Sequence, residues 1–373
     1  MLVVDAGNVF LNTGLMHMIR SEYLIEAMGL MGYDYLNLSN WDFIFGTNLL
    51  TGYCRQFGVP TISANIVYAD SSTPLTTTSD IRKYGDLTVG IIGIVAREYE
   101  HILAELTESQ SRPLTIQDET EALEHELALI RDEADLVVVL ANVGLKRAEA
   151  LARSVSGLDV IVCGHGREIT KKPLLINGVH IVKSGYSGQH IGRLTLTLNS
   201  DRQIAAAESE IKVLNKLIAE DNELLQLMDR FHLRLQDYQN ELIKKEPVEP
   251  EAGWYYTGAT PCAYCHVPQS GHWRRTGHAR AWAALATRNQ HYNPDCISCH
   301  ITGYGYDGGF YLPAVNPDMG NVQCEMCHGP GGEHVETQSI PYGDVSQTVC
   351  EECHTEEHSP NFAYDSYHAK IAH

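Results

Sequence analysis

Four stretches decide how this chain is read: Cys262-Ala263-Tyr264-Cys265-His266, Cys296-Ile297-Ser298-Cys299-His300, Cys324-Glu325-Met326-Cys327-His328 and Cys350-Glu351-Glu352-Cys353-His354. They hold eight of the ten cysteines in 373 residues. Cys-x-x-Cys-His is the pattern of covalent c-type haem attachment. The two thiols form thioethers with the haem vinyl groups, and the next residue is held against the iron as its proximal ligand. The reading therefore assigns Cys262, Cys265, Cys296, Cys299, Cys324, Cys327, Cys350 and Cys353 to attachment. His266, His300, His328 and His354 become proximal ligands of four covalently attached c-type haems. Zinc knuckles do not require a histidine after every second cysteine. A disulfide framework leaves the four histidines unexplained.

The residues around these motifs fit that assignment. Residues 254–373 are dense in Gly, Pro, His, Tyr and Cys and lack long aliphatic runs. A segment of this size and composition struggles to bury enough apolar surface unaided. Four porphyrin plates would supply the missing core, and plates packed so closely would pass electrons among themselves. Beyond the proximal set the segment offers His272, His278, His291, His334, His358, His368 and His373, enough to give most haems a second histidine. Histidine pairs hold haem at lower potential than a Met/His pair. Met319 and Met326 are the thioether alternatives there.

Upstream the pattern changes. Leu2–Val4, Tyr35–Leu38, Thr61–Ala64, Leu87–Ile94, Leu136–Leu140, Val160–Val162, His180–Val182 and Leu194–Leu198 read as strands. Met16–Met31, Thr120–Asp132 and Ala148–Ser154 read as helices between them. Continuous apolar strands alternating with helices predict an α/β layered architecture. Helical spacing returns over Ala219–Lys245, followed by the Pro/Glu stretch Glu246–Glu251. The expected domains are 1–200, a connecting helix and linker over 201–253, and 254–373. Cys54 and Cys163 read as small core residues. The formal charge of −20, with only five basic side chains after residue 253, excludes a nucleic-acid backbone as partner. No apolar run approaches the length of a membrane span.

The last 120 residues resemble the tetrahaem cytochrome c-554 family. The likeness lies in Trp273–Trp282, Cys299–Gly305, Gly320–His334 and the ending Ser359–Phe362 through Tyr367 to His373. It implies that His278, His334 and His373 are distal ligands. It also implies that the haem on His300 lacks one from the protein. His272, His291, His358 and His368 remain as extra distal or inter-subunit candidates, with a surface histidine as the plainer reading of each.

Residues 1 to about 200 resemble the 5′-nucleotidase branch of the metallophosphoesterases. The matching stretches are Val4–Phe10, Met31–Phe43, Ser63–Ile66, Ala134–Asn142 and Gly157–Arg167. That likeness implies a metallophosphoesterase-like layered sandwich beside a mainly α, loop-rich multihaem cytochrome c domain. The family's ligand set is broken here. Asn8 stands for the bridging Asp, Trp41 for the catalytic His, Ala141-Asn142 for Ser-His, and Arg167 for the second His of Gly-His-x-His. Asn40 and His165 persist. A neutral Asn cannot bridge two divalent ions as a carboxylate does. The expectation is a vestigial site with no catalytic residue, on a domain kept as a scaffold, docking or assembly module.

The resulting expectation is an exported, periplasmic or extracellular electron carrier. It would work between redox donor and acceptor proteins, with a homo-oligomer or filament as a further form. No signal peptide is visible, and the family's first Asp-x-His strand is absent from this sequence, through an upstream start or through loss. Competing readings are a redox enzyme acting on a small nitrogen compound at a five-coordinate haem, and a nucleotidase with an attached cytochrome.

Overall fold

The structure is a computed structural model. It describes residues 1–10, 15–215, 217–242, 255–288, 290–291, 293–310, 316–339, 342–343, 345–356 and 358–373. The chain divides into two compact units, Met1–Leu227 and Met228–His373.

In chain order the first unit contains β1 (Val4–Asp5), α1 (Leu15–Leu30), β2 (Tyr35–Asn37), α2 (Thr47–Gln56), β3 (Thr61–Ile62), β4 (Ile66–Tyr68), β5 (Ser79–Tyr84) and β6 (Leu87–Val95). There follow α3 (Glu100–Thr107), β7 (Leu114–Ile116), α4 (Glu119–Ile130), β8 (Leu136–Asn142), α5 (Leu145–Ser154), β9 (Val160–Cys163), β10 (Leu174–Ile176), β11 (Val179–Val182), β12 (His190–Leu198) and β13 (Ile204–Val213). Strands β1-β2-β3 form a parallel sheet. A six-stranded sheet runs β10-β11-β9-β8-β6-β5, with parallel pairing from β11 through β6 and antiparallel strands at both edges.

The two sheets face each other across Tyr35, Ile62, Ile91, Leu140 and Val160. Outside the larger sheet, α4 and α5 bury Leu123, Leu127, Ala148 and Leu151. Outside the smaller one, α1 and α2 bury Ile25, Met28, Leu50 and Cys54. The result is the layered α/β sandwich the alternating pattern predicted. Strand β8 is buried at all seven positions, which is why it reads as an unbroken apolar run. Helix α4 starts where Asp118 accepts from Thr120 N at 2.9 Å and Glu121 N at 3.1 Å. The strand expected over Leu194–Leu198 is the end of β12, which pairs with β13 as a two-stranded ribbon.

Helix α6 (Asn222–Leu242) carries the division between the units and buries Leu227, Phe231 and Leu235 at i, i+4 spacing. The Glu246–Glu251 stretch lies outside the described residues.

The second unit continues with short helices: α7 (Ala259–Cys265), α8 (Val267–Trp273), α9 (Ala281–Ala286), α10 (Pro294–Ile297), α11 (Cys324–His328), α12 (Gly332–Thr337), α13 (Gln347–Glu351) and α14 (Tyr364–His368). Its aliphatic cluster is small: Leu285, Ile297, Ile301, Phe310 and Met319, with Tyr256 and Trp282 against it. Polar ties do much of the remaining holding. The buried Glu325 carboxylate accepts from Thr257 N at 2.9 Å, Gly258 N at 2.7 Å and Gly331 N at 2.7 Å. Among the described residues no helix is long and apolar enough to cross a membrane.

Candidate functional site

The histidines of the second unit come together in pairs. His266, at the end of α7, faces His334 of α12 with ring centres 6.1 Å apart. His328, at the end of α11, faces His373 at 6.1 Å. His354, after α13, faces His278 at 6.1 Å. Two imidazoles binding one metal from opposite sides, through bonds of about 2 Å, set their ring centres about 6 Å apart. Each pair joins one motif histidine to one histidine outside the motifs, so the residues fit a six-coordinate haem iron.

The outer ring nitrogens are also anchored. His328 Nδ1 donates to Gly343 O at 2.6 Å and His334 Nδ1 to Ser339 O at 2.8 Å. His373 Nδ1 donates to Ile371 O at 2.9 Å and His300 Nδ1 to Ala281 O at 2.8 Å. A carbonyl only accepts, so these bonds place the proton on Nδ1 and leave the Nε2 lone pair for a metal. His354 Nδ1 lies 2.8 Å from Ser359 Oγ.

His300 has no histidine ring at the pairing distance among the described residues. Near it, Trp282 lies against Phe310 at 4.9 Å, and His291 stands edge-on to Trp282 at 5.8 Å. The other candidates are placed differently. His272 sends Nε2 to Lys370 O at 3.0 Å, with its ring 6.4 Å from His373. His358 is exposed, and His368 stacks on Tyr364 at 5.1 Å. Met319 is buried in the aliphatic cluster.

The motif cysteines are not paired in chain order. Cys262 neighbours Cys324, and Cys299 neighbours Cys353, each close enough for one thiol to shift the proton affinity of the other. The first motif thus abuts the third, and the second abuts the fourth.

In the first unit the vestigial residues gather at the ends of β1, β2, β8 and β9, where parallel strands of an α/β fold place functional groups. Asn8 Nδ2 lies 3.4 Å from Asn142 Oδ1, and Asn142 Nδ2 donates to Ala6 O at 3.1 Å. Asp42 is buried and wholly engaged. It accepts from Asn8 N at 3.1 Å, Val9 N at 2.7 Å, Phe10 N at 3.2 Å and Ser39 N at 3.0 Å, with Ser39 Oγ at 2.8 Å. Burial raises the Asp42 carboxyl, against the pull of those donors. Burial also pushes Asp5 up to about 6.

His165 stacks on Tyr99 at 4.7 Å. Its Nδ1 is buried without a hydrogen bond, and burial together with Lys183 lowers its pKa. Asn40 is buried and its Oδ1 is likewise unpaired. Arg167 lies over the Tyr186 ring at 5.0 Å. Lys183, fully buried, donates Nζ to His165 O and stands 3.8 Å from Glu168 Oε2. A side chain at Gly164 would place its Cβ 2.3 Å from Ala6 O, so glycine allows the loop after β9 to close on β1.

These residues do not fit a two-metal centre. The bridging position is an amide bonded to another amide, and the buried carboxylate beside it is spent on backbone N–H groups. Among the described residues no three His, Cys, Asp or Glu side chains are grouped to share a metal ion. Sequence reasoning missed Asp42, Lys183 and Tyr99. Lys183 does leave a signal, a lysine directly after the apolar strand His180–Val182.

Residues 261–329 match the family model described as cytochrome c554 and c-prime. The cytochrome c-554 of Nitrosomonas europaea is 33% identical over 98 residues, 21% of this chain and 42% of that protein. The snake venom 5′-nucleotidase of Gloydius brevicauda is 25% identical over 292 residues, 71% of this chain and 47% of that protein. This chain joins a cytochrome c554 domain to a 5′-nucleotidase-like domain. It spans less than half the length of either of these relatives. In structure, the sulfate thiohydrolase of Thermus thermophilus in complex with glycerol overlays with a TM-score of 0.57 at 23% identity, covering 66% of this chain and 44% of that one. That likeness shows a shared fold alone.

Proposed function

We propose that this chain is an exported electron-transfer protein with four covalently attached c-type haems. The observation that carries the proposal is the set of three histidine pairs at 6.1 Å, each including the histidine of a Cys-x-x-Cys-His motif. In this reading His266 and His334 hold the first haem, His328 and His373 the third, and His354 and His278 the fourth. His300 holds the second. The haems supply one-electron chemistry. The chain would supply imidazole nitrogens with fixed tautomers, covalent tethers, and motifs that neighbour one another first to third and second to fourth rather than along the sequence. Attachment of this kind takes place outside the cytoplasm, which supports export and redox partner proteins there.

The 5′-nucleotidase-like domain serves as a scaffold or docking module without phosphoesterase chemistry. The supporting observation is the Asn8–Asn142 amide pair where that chemistry needs a bridging carboxylate. A haem-stained denaturing gel with a pyridine haemochrome assay tests the cofactor claim: four covalent haems per chain support it, and none removes it. Reduction by dithionite and reoxidation by a cytochrome acceptor, followed by stopped flow, tests the transfer role.

A second reading is supported by His300. With no partner ring among the described histidines, the second haem offers an open face to a small nitrogen compound. Binding of nitric oxide or hydroxylamine to one haem in four supports that chemistry, and no binding to any haem ends it.

A further inference from the structure

One aromatic side chain touches a proposed ligand of each of two haems. Tyr342 lies against His334 with ring centres 4.7 Å apart and planes 6° apart. The same ring lies 6.2 Å from His328, with planes 28° apart. Its hydroxyl donates to Gly329 O at 2.6 Å, immediately after the third motif. Sequence neighbours of Tyr342 hold the outer nitrogens of the same two rings. Ser339 O accepts from His334 Nδ1, and Gly343 O accepts from His328 Nδ1. Gly343 has a φ of +64°, and a Cβ there would come 2.5 Å from His328 O, so only glycine brings that carbonyl so close.

Ser339, Tyr342 and Gly343 thus fix two imidazoles that belong to different sites, the outer ligand of the first and the motif ligand of the third. Phe362 provides the contrast. It stacks on His354 at 4.8 Å and 7°, touching one proposed ligand alone. The orientation and hydrogen bonding of an axial imidazole tune the iron it binds. A flat aromatic contact restricts rotation of the imidazole and keeps water from its face.

We propose that Tyr342 is a positioning residue that sets the axial imidazoles of the first and third haems together, so that the spectra and midpoint potentials of these two haems are coupled through one side chain. This rests on the histidine-paired haem reading above.

The test uses the full haem-loaded chain and the variants Tyr342→Leu, Tyr342→Phe and Phe362→Leu. Each is examined by low-temperature EPR of the oxidised form, by spectropotentiometry and by pyridine haemochrome. Tyr342→Leu is expected to displace two low-spin signals and move two midpoints, leaving the remaining low-spin haem in place. Tyr342→Phe, which keeps the ring, is expected to restore the parent pattern. Phe362→Leu is expected to displace one signal. The inference is overturned if Tyr342→Leu moves no signal, or only one. Tyr342→Met, which keeps much of the volume but loses the flat ring, is read in the same way if the Leu variant fails to fold. If the parent itself lacks low-spin signals, the ligand reading fails instead, and the two failures are told apart.

Discussion

His278 and His354 face each other with ring centres 6.1 Å apart, although His278 follows the first Cys-x-x-Cys-His motif and His354 ends the fourth. The separation suits an iron between them, and the proposed tethers of the fourth haem, Cys350 and Cys353, adjoin His354 and not His278. His278→Leu is therefore expected to keep four covalent haems and convert one iron from low to high spin. Pyridine haemochrome and EPR on the same sample check this. A variant that loses a haem, or stays fully low-spin, contradicts the assignment.

Asp42 carries the junction of the β1 and β2 loops by accepting from four backbone N–H groups. Asp42→Ala leaves those buried donors without a partner, at a cost of about 3–5 kcal/mol. Asp42→Asn keeps part of the set and is expected to lose less. Urea unfolding of both variants, compared with the parent, measures the difference. An Ala variant as stable as the parent shows that the network is not structural.

Asp5 makes the stability pH-dependent. Burial raises its carboxyl from 3.8 to about 6, so between these values the folded state keeps a proton that the unfolded state has released. The contribution is fully present below about pH 4, declines as pH rises to 6, and is then constant, a span of up to about 3 kcal/mol. Asp5→Asn keeps the acceptor for Gly7 N, which lies 2.8 Å from Asp5 Oδ1. The variant is expected to melt higher than the parent at pH 7.5 and level with it at pH 4. A constant difference across that range rules the mechanism out.

Divalent cations are expected to leave the 5′-nucleotidase-like domain unchanged. Adding Mn²⁺ or Zn²⁺ should produce no hydrolysis of AMP or bis-p-nitrophenyl phosphate, and no rise in the melting temperature. Asn8→Asp places a second carboxylate beside Asp42 and is expected to destabilise the domain by about 1–3 kcal/mol, through like-charge repulsion and burial. Turnover by the parent protein with metal added restores the nucleotidase reading.

Much of this was legible in the sequence because the signals are local. The haem motifs are five-residue patterns, and β6, β8 and β9 are uninterrupted apolar runs, so burial on both faces shows directly. Edge strands were not legible. β5 (Ser-Asp-Ile-Arg-Lys-Tyr) is half exposed and polar, and β13 alternates weakly, so neither stands out before its partner is known. The histidine pairs illustrate the same limit. The resemblance singled out His278, His334 and His373, but which motif histidine each one faces depends on three-dimensional packing. Tyr342 left no sequence signal, because its contacts with His334 and His328 exist only once those helices are placed.

The most direct test is low-temperature EPR of the oxidised protein with haem quantified on the same sample. Four haems per chain, three of them low-spin and one high-spin on His300, are what the proposed function predicts. Fewer than four covalent haems, or a sample in which high-spin iron predominates, would contradict it.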